Sequence, residues 1–491
     1  MSSVFMHQFM KLIEKKIFIT GVIISAGYGI VTLQGFLIAF IGEVFRIWST
    51  SNYISFGLVV NLYQNDTMNL VIGGLLLNPR NPLDQGSSVN ATSKLATIIL
   101  GDFAIGSILD PVGNLIFNSG RIDVIYPWVI QSPARGIIDR QSVSEGLLTG
   151  VISIDSMIPI GGGQRELIVG DRQTGKTSIG VDTILNQKYT SLFCVYLPIG
   201  QKASSILEVF LALIGKDAIF YLSVVVASAS SSAVHQFLCA YSGSALCEFF
   251  LISFAISSFI LFDDLSRHAM AYREIYLLLR RPPGREAYPG EIFFVHSRLL
   301  ERSAKLSYNL RGGSLTSFPV IETLAGDVSA YITTNLISIT DGQIFLSADL
   351  FLAGIKPAID VGLSVTRVGS IAQWYGMKLV AGFYKVELAQ FIELQSFSQF
   401  VADLGKESLL RLTKGHTLVE ILKQFCGSPI NLTTQVGILS LANQNLSKAL
   451  AIKDVHLFLN LYLDLPVWAF LFVPPRNLGK SLVYFISKQR R

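Results

Sequence analysis

Charge is what this chain has least of. Asp, Glu, Lys and Arg together supply 15% of its 491 residues, hydrophobic residues supply 51%, and the mean hydropathy is +0.50. Scarcity of this kind raises membrane insertion as the first possibility. No charge falls between Ile17 and Gly42 ("IFITGVIISAGYGIVTLQGFLIAFIG"), a stretch longer than the roughly 20 residues a spanning helix needs. Yet Gly21, Gly27, Gly29, Gly35 and Gly42 interrupt it and leave short β-branched runs such as "VII" and "IVTL". That pattern predicts strands and turns rather than a spanning helix. A second apolar run, Phe249 to Phe262 ("FFLISFAISSFILF"), is short for a crossing and ends in two aspartates. It reads as a buried strand of a parallel sheet, which is apolar on both faces.

Cysteine is also sparse. Cys194, Cys239, Cys247 and Cys426 show no C-x-x-C spacing and read as reduced thiols, so no disulfide framework is expected. Strong charge of one sign is missing as well. The net charge is +5, and Lys and Arg are scattered apart from "RRPPGR" and the terminal "KQRR". Without a basic stripe interleaved with aromatics, no nucleic-acid partner is expected. The first 16 residues carry Glu14 and no Arg; they read as a short docking helix rather than a transit peptide.

What is present divides into three regions. Residues 1–90 show short apolar runs separated by Gly, Asn, Asp and Pro, which predicts a small β-barrel. Residues 91–371 alternate strand-like runs ("RELIVG", "SLFCVYLPIG", "SSFILFDD") with helical ones ("GKTSIGVDTILNQ", "SRLLERSAKL"). Such alternation predicts a mostly parallel sheet covered by helices. From 372 to 491 apolar residues recur at three- and four-residue intervals, as in "VAGFYKVELAQFIELQ", which predicts a helical bundle. The fold class expected is therefore multidomain α/β: an N-terminal β-barrel, a central domain with a mostly parallel sheet, and a C-terminal helical bundle.

The central region carries "GDRQTGKTS", Gly170-Asp171-Arg172-Gln173-Thr174-Gly175-Lys176-Thr177-Ser178. This is a complete G-x-x-x-x-G-K-[ST] loop, placed after a strand and opening a helix, the context that gives the motif its meaning. The glycines let the backbone curl so that N–H groups face phosphates, and the helix N-terminus adds partial positive charge. Lys176 is expected on the β- and γ-phosphates and the Thr177 hydroxyl on Mg²⁺. A second acid should stand at the tip of a neighbouring strand. "FILFDD" offers Asp263, the metal partner expected, and Asp264, either a second site acid or a solvated cap of the following turn.

Hydrolysis further needs a group that activates water. In RecA-like ATPases a Glu often stands at the tip of the strand after the phosphate-loop helix. Here that tip holds Gln201. An amide can orient water but cannot act as a base, so the site is expected to bind MgATP or MgADP and to turn it over poorly or not at all.

These motifs, together with "IGQKASS", "LFDDLSR", "LLLRRPPGREAYPGEIFFVHSRLLERSAKL", "GDVSAYITTNLISITDGQIFLSADLF" and "GIKPAIDVGLSVTRVGS", resemble the alpha-subunit family of F-type ATP synthases, strongly from about residue 152 to 387 and more weakly at both ends. At the N-terminus "TGVIISAGYGIVTLQG" still resembles the first barrel strands, with Tyr28 where an acid is usual. The resemblance implies a barrel, a RecA-like domain and a helical domain. It implies a ring of three such chains alternating with three catalytic beta subunits, a central gamma shaft, a delta-type peripheral stalk subunit and peripheral attachment to a membrane. Nucleotide is held without turnover, consistent with Gln201, and an arginine is lent to the neighbouring catalytic site. That arginine maps onto Arg367, with Thr366 where Ser is usual. The adenine pocket maps onto Arg172, Gln173, Phe351, Pro357 and Gln424. Lys356 replaces the usual Arg and Cys426 a second Gln, which weakens the base-contacting set. "SIDSMIPIG", "IGQKASS" and "IFLSADLF" resemble plastid and cyanobacterial forms more than mitochondrial ones, so the expected location is the stromal side of the chloroplast thylakoid membrane, with the matrix side of the mitochondrial inner membrane as the alternative. The rival readings are a catalytic hexameric ATPase of the secretion-motor or helicase kind, which would want Glu at 201, and an integral membrane transporter, which rests on hydropathy alone.

Overall fold

The computed structural model of the chain describes residues 20–36, 39–48, 54–64, 70–77, 83–117, 125–398 and 406–443. The expected N-terminal docking helix and the last part of the helical region, 444–491, lie outside them.

Six strands close a barrel: β1 (Thr20–Gly27), β2 (Ile30–Gln34), β3 (Glu43–Trp48), β4 (Ile54–Gln64), β5 (Leu70–Leu76) and β6 (Ser88–Leu95), in the order β1-β2-β5-β4-β3-β6. The uncharged stretch after Ile17 thus supplies β1 and β2, as its glycine spacing predicts. Residues of alternate parity point inward, so Ile23, Val31, Leu33, Phe45, Ile47, Val59, Ile72 and Val89 form one core, the period of two expected of a half-buried strand. β1 and β2 are joined by Tyr28–Gly29, both at positive φ (51° and 80°), the two-residue turn whose twist suits a hairpin. Two further glycines have a packing reason. The Phe45 ring lies across Gly57 and Gly74, and a Cβ at either would come within 2.2 and 2.5 Å of it. The barrel continues past residue 90, to Leu95.

The central sheet is built from β7 (Ile108–Leu109), β8 (Leu115–Phe117), β9 (Glu166–Gly170), β10 (Phe193–Gln201), β11 (Leu222–Val225), β12 (Ser258–Asp263), β13 (Leu315–Glu322), β14 (Gly342–Leu346) and β15 (Ile359–Thr366), in the order β15-β14-β9-β13-β12-β10-β11-β7-β8. The pairings from β14 to β7 are parallel; β15 runs antiparallel to β14, and β8 to β7. Helices cover the sheet: α1 (Lys176–Asn186), α2 (Ala203–Ile214), α3 (Ala233–Phe254), α4 (Leu265–Leu278), α5 (Ile292–Leu300) and α6 (Tyr331–Ile339). The strand and helix runs read from the sequence all appear, although "SRLLERSAKL" is helical only as far as Leu300.

The reading of Phe249–Phe262 as one strand needs correction. Phe249–Phe254 are the last turns of α3, Ala255 turns the chain at φ 58°, and the strand is only Ser258–Asp263. A continuous apolar run does not separate a buried helix from a buried strand. α3 is apolar around its circumference because it is enclosed. It is the one helix among the described residues long and apolar enough to cross a membrane, with hydropathy 1.6, and 83% of that window is buried inside the protein.

The helical region contributes α7 (Tyr375–Ala381), α8 (Tyr384–Ser398), α9 (Lys406–Leu422) and α10 (Leu432–Asn443). Met377, Tyr384, Leu388, Leu418, Ile421 and Leu439 share a core with β9, β12 and α1. The tail therefore packs on the sheet and brings the loop after α9 towards the phosphate loop.

One ion pair lies inside this apolar mass. Glu248 on α3 grips Arg302 in two parallel bonds of 2.7 Å, and Arg302 also donates to the carbonyls of Ile130 (2.8 Å) and Tyr241 (3.3 Å). The Arg302 side chain is 1% exposed. Removing one partner of such a pair strands the other without solvation. Glu248→Ala is therefore expected to cost about 3–5 kcal/mol of stability, read as a lowered urea midpoint. Glu248→Leu combined with Arg302→Met should recover part of that loss.

Candidate functional site

Parallel strands put their C-terminal tips at one end of a sheet, and here the tips of β9, β10, β12 and β13 end in Gly170, Gln201, Asp263 and Glu322. The phosphate loop runs from the first of these into α1. Gly175 stands at the start of α1 at φ 93°, a conformation glycine adopts without penalty. Lys176 bends back over the loop, its Nζ donating to the carbonyl oxygens of Gly170 (2.8 Å) and Asp171. Burial pulls this ammonium below its ordinary range, opposed by the charges of Glu322, Asp264, Asp263 and Asp171.

The metal-binding pair expected from the sequence is brought together. The Thr177 hydroxyl donates to Asp263 Oδ2 at 2.9 Å, and the buried Tyr196 hydroxyl reaches the same oxygen at 3.2 Å. Burial pushes the Asp263 carboxyl up, opposed by Gln201, Thr177, Tyr196 and the charge of Lys176. A carboxyl buried beside a hydroxyl is a donor set suited to a hard divalent cation, whose charge would offset the burial. Gln201 ends β10 and donates from Nε2 to the main-chain oxygen of Asp263 at 3.2 Å. No carboxylate takes its place at that tip.

Asp264 is a helix cap, but not a solvated one. It is buried, its Oδ1 accepts from the Arg267 N–H (2.8 Å) at the start of α4, and burial raises its pKa to about 6. The tertiary cover that buries it comes from elements distant in the chain.

The remaining loop residues divide between ligand-facing and anchoring roles. Asp171 Oδ1 accepts from Thr323 Oγ1 (2.6 Å) and the Gly326 N–H (2.9 Å), tying the loop to the segment after β13. Arg172 pairs with Glu322 while most of its side chain stays in solvent. Gln173 is exposed and at φ 61°. Thr174 closes the loop on the Asp171 carbonyl at 2.9 Å. Glu322 was missed by the sequence reading; its signal was an acid at the tip of "SFPVIE", a strand adjacent to β9.

Beside the loop opens a cleft lined by Thr174, Gly175 and Ser178 of the loop and α1, by Phe351, Lys356, Pro357, Gln424, Phe425 and Cys426, and by Ile179 and Asp182. It joins the phosphate loop to Phe351, Lys356, Pro357 and Gln424 of the expected adenine pocket, whereas Arg172 and Gln173, assigned to the same pocket, do not line it. The Lys356 ammonium sits 4.5 Å over the Phe351 ring. Gln424 lines the cleft, but its amide is spent on backbone. Oε1 accepts from the Ile152 N–H (3.2 Å), and Nε2 donates to the Gly150 and Ser428 carbonyls (2.8 and 2.7 Å). Its observed work is to hold the loop after α9 against the sheet.

Arg367 is not part of this constellation. Thr366 pairs with Gly342, and Gly342 pairs with Glu166, so the end of β15 is level with the start of β9. Four residues at about 3.3 Å each, about 13 Å, separate it along the strand from Gly170. Arg367 is exposed and has no side-chain hydrogen bond or ion pair among the described residues.

Asp182, also missed from the sequence, is buried in the cleft wall, accepts from the Gly427 N–H at 2.6 Å and is raised from 3.8 to about 6, chiefly by burial. The folded chain thus holds this proton more tightly than the unfolded chain, and stability falls as pH rises from 3.8 through about 6. Asp182→Asn keeps the acceptor for Gly427. It should gain on the order of 1–3 kcal/mol at pH 7.5 relative to the parent, a gain that vanishes near pH 4. Denaturant titrations at the two pH values check this, and an equal difference at both would contradict it.

With this geometry in place, two matches to known proteins can be set beside it. Residues 150–366 match the nucleotide-binding domain of the ATP synthase alpha/beta family. Residues 373–465 match the C-terminal domain of the ATP synthase alpha/beta chain.

Proposed function

Because the chain belongs to the ATP synthase alpha/beta family, we propose that it is the alpha-type subunit of an F-type ATP synthase, holding nucleotide without turnover and lending Arg367 to a neighbouring catalytic subunit. The observation that carries this reading is the separation of Arg367 from the chain's own phosphate loop. A guanidinium at the opposite end of the sheet cannot meet this chain's γ-phosphate, and a free, exposed arginine there is suited to another chain's site.

Gln201 supports the other half of the reading. ATP or ADP would lie along the cleft, with Lys176 and the loop N–H groups on its phosphates and Phe351 and Pro357 flanking the base. Mg²⁺ would be held by Thr177 and Asp263, and supplies charge neutralisation between the phosphates. What the chain lacks is a base for water. Glu322 is held by Arg172, and Gln201 has no proton-accepting nitrogen or carboxylate. A catalytic hexameric ATPase would want a carboxylate at that strand tip. In the ring, the chain would alternate with catalytic beta-type subunits around a gamma shaft, carry a delta-type stalk subunit and meet the membrane only through the complex. The plastid-like motifs "SIDSMIPIG" and "IFLSADLF" support the stromal side of the thylakoid as its place.

Two experiments test the two halves. Lys176→Ala should weaken nucleotide binding to the isolated chain, which itself should show negligible hydrolysis. Within the ring this change should reduce turnover less than loss of the corresponding lysine of the catalytic partner. Robust hydrolysis by the isolated chain would refute the role given to Gln201.

Arg367→Lys should leave ring assembly and nucleotide binding to this chain intact while turnover falls by about 10³–10⁵, the contribution of arginine fingers in phosphoryl transfer. Lysine lacks the planar fork that matches phosphate oxygens. Native mass of the ring and steady-state rates provide the check, and a ring that assembles and turns over at the parental rate would rule the finger out.

A further inference from the structure

At the end of the sheet where Arg367 emerges lies a polar cluster that the phosphate site does not use. Gln164 and Glu166 are both fully buried. Gln164 Oε1 accepts from the Gly161 N–H at 2.8 Å, and its Nε2 donates both to Glu166 Oε2 (2.7 Å) and to Thr366 Oγ1 (2.8 Å). The Thr366 hydroxyl in turn donates to the Pro159 carbonyl at 3.3 Å. The Glu166 carboxyl packs over Gly342, the residue paired with Thr366, where a Cβ would come within 2.5 Å of it. Its other oxygen, Oε1, has no hydrogen-bond partner among the described residues. Burial and the charge of Asp341 hold this carboxyl well above the usual carboxylate range.

A second attachment acts on the next residue. The Arg367 N–H donates to the Asp341 carbonyl at 2.9 Å, and the Asp341 carboxylate grips Arg165 through Nε (2.9 Å), Nη2 (2.7 Å) and the main-chain N–H (3.1 Å). The main chain of residues 366 and 367 is thus tied on two sides, while the Arg367 side chain beyond it is free. A buried acceptor left unpaired is destabilising, so stability alone does not account for a carboxyl at Glu166. A group that acts across an interface, however, gains its effect only from a fixed root.

We propose that Gln164 and Glu166 are positioning residues, whose buried amide–carboxyl pair holds the Thr366 hydroxyl and thereby sets the direction in which Arg367 leaves the sheet. The inference rests on the role given to Arg367 above. It requires that the cluster act only through that arginine.

The test is a double-mutant cycle in the assembled ring. Gln164→Leu removes both donors of the amide at similar size and should lower turnover about 10–100-fold, the scale of a misplacement near 1 Å. KM at the catalytic partner and nucleotide affinity of this chain should change little. In an Arg367→Lys ring the same substitution should produce no further loss. Thr366→Val, which deletes only the hydroxyl, should repeat the effect if the Gln164 variant fails to assemble, and Thr366→Ser should restore the rate. Turnover unchanged in both Gln164→Leu and Thr366→Val, with Arg367→Lys still defective, overturns the positioning role and leaves the finger standing. A full additional loss in the Arg367→Lys background also overturns it, because the cluster would then act by another route. If Arg367→Lys alone has no effect, the finger and the positioning role fall together.

Discussion

A single antiparallel pairing governs how the chemistry of this chain is distributed. β9, β10, β12 and β13 run parallel, so their C-terminal tips, and with them the phosphate loop, Gln201, Asp263 and Glu322, meet at one end of the sheet. β15 turns back along β14, and its C-terminal end therefore delivers Thr366 and Arg367 to the opposite end. Had β15 entered in the parallel sense, Arg367 would stand on the side of its own phosphate loop.

Most of the site was legible in the sequence where its residues depend on local chain geometry. The phosphate loop needs a strand, a glycine turn and a helix start in one continuous stretch, and it is found so. Asp263 could be assigned because an apolar strand must expel its carboxylates at the tip. The barrel was legible from the glycines that interrupt an otherwise membrane-like run. What escaped depends on contacts between residues far apart in the chain. Asp264 shows its capping role in sequence but not the cover that buries it. Asp182 reads as one polar residue on a helix until the loop after α9 closes over it. Gln424 was assigned to the base, and its amide is committed to Gly150, Ile152 and Ser428. Phe249–Phe254 was misread because enclosure makes a helix as apolar as a strand.

The low charge of the chain has a structural counterpart. The outer face of the barrel carries exposed Val22, Ile24, Trp48, Ile54 and Tyr63, and the α7–α8 region exposes Leu379, Phe383 and Val386. A monomer rarely leaves so many large apolar side chains in adjacent patches. Members of this family work in a multi-subunit complex with other ATP synthase subunits, and such faces suit a chain that is covered on several sides. Hydrophobicity that resembles a membrane protein's is thus divided between a largely buried helix, α3, and exposed surfaces suited to neighbours.

The same division bears on why one chain would not suffice. At the phosphate end nearly every polar group is engaged in holding the loop or the cation position: Asp171 with Thr323, Arg172 with Glu322, Thr177 with Asp263, Gln201 with the Asp263 main chain. The strand tip next to the loop carries an amide, Gln201, and the Glu322 carboxylate is paired with Arg172. At the other end Arg367 is anchored through its main chain and unpaired through its side chain. Under the proposed function, a ring of this chain alone would bring each arginine to a site without a base. A ring in which it alternates with a partner that has the carboxylate would complete every second interface. Under the proposed function, alternation follows from what each chain lacks as much as from what it carries.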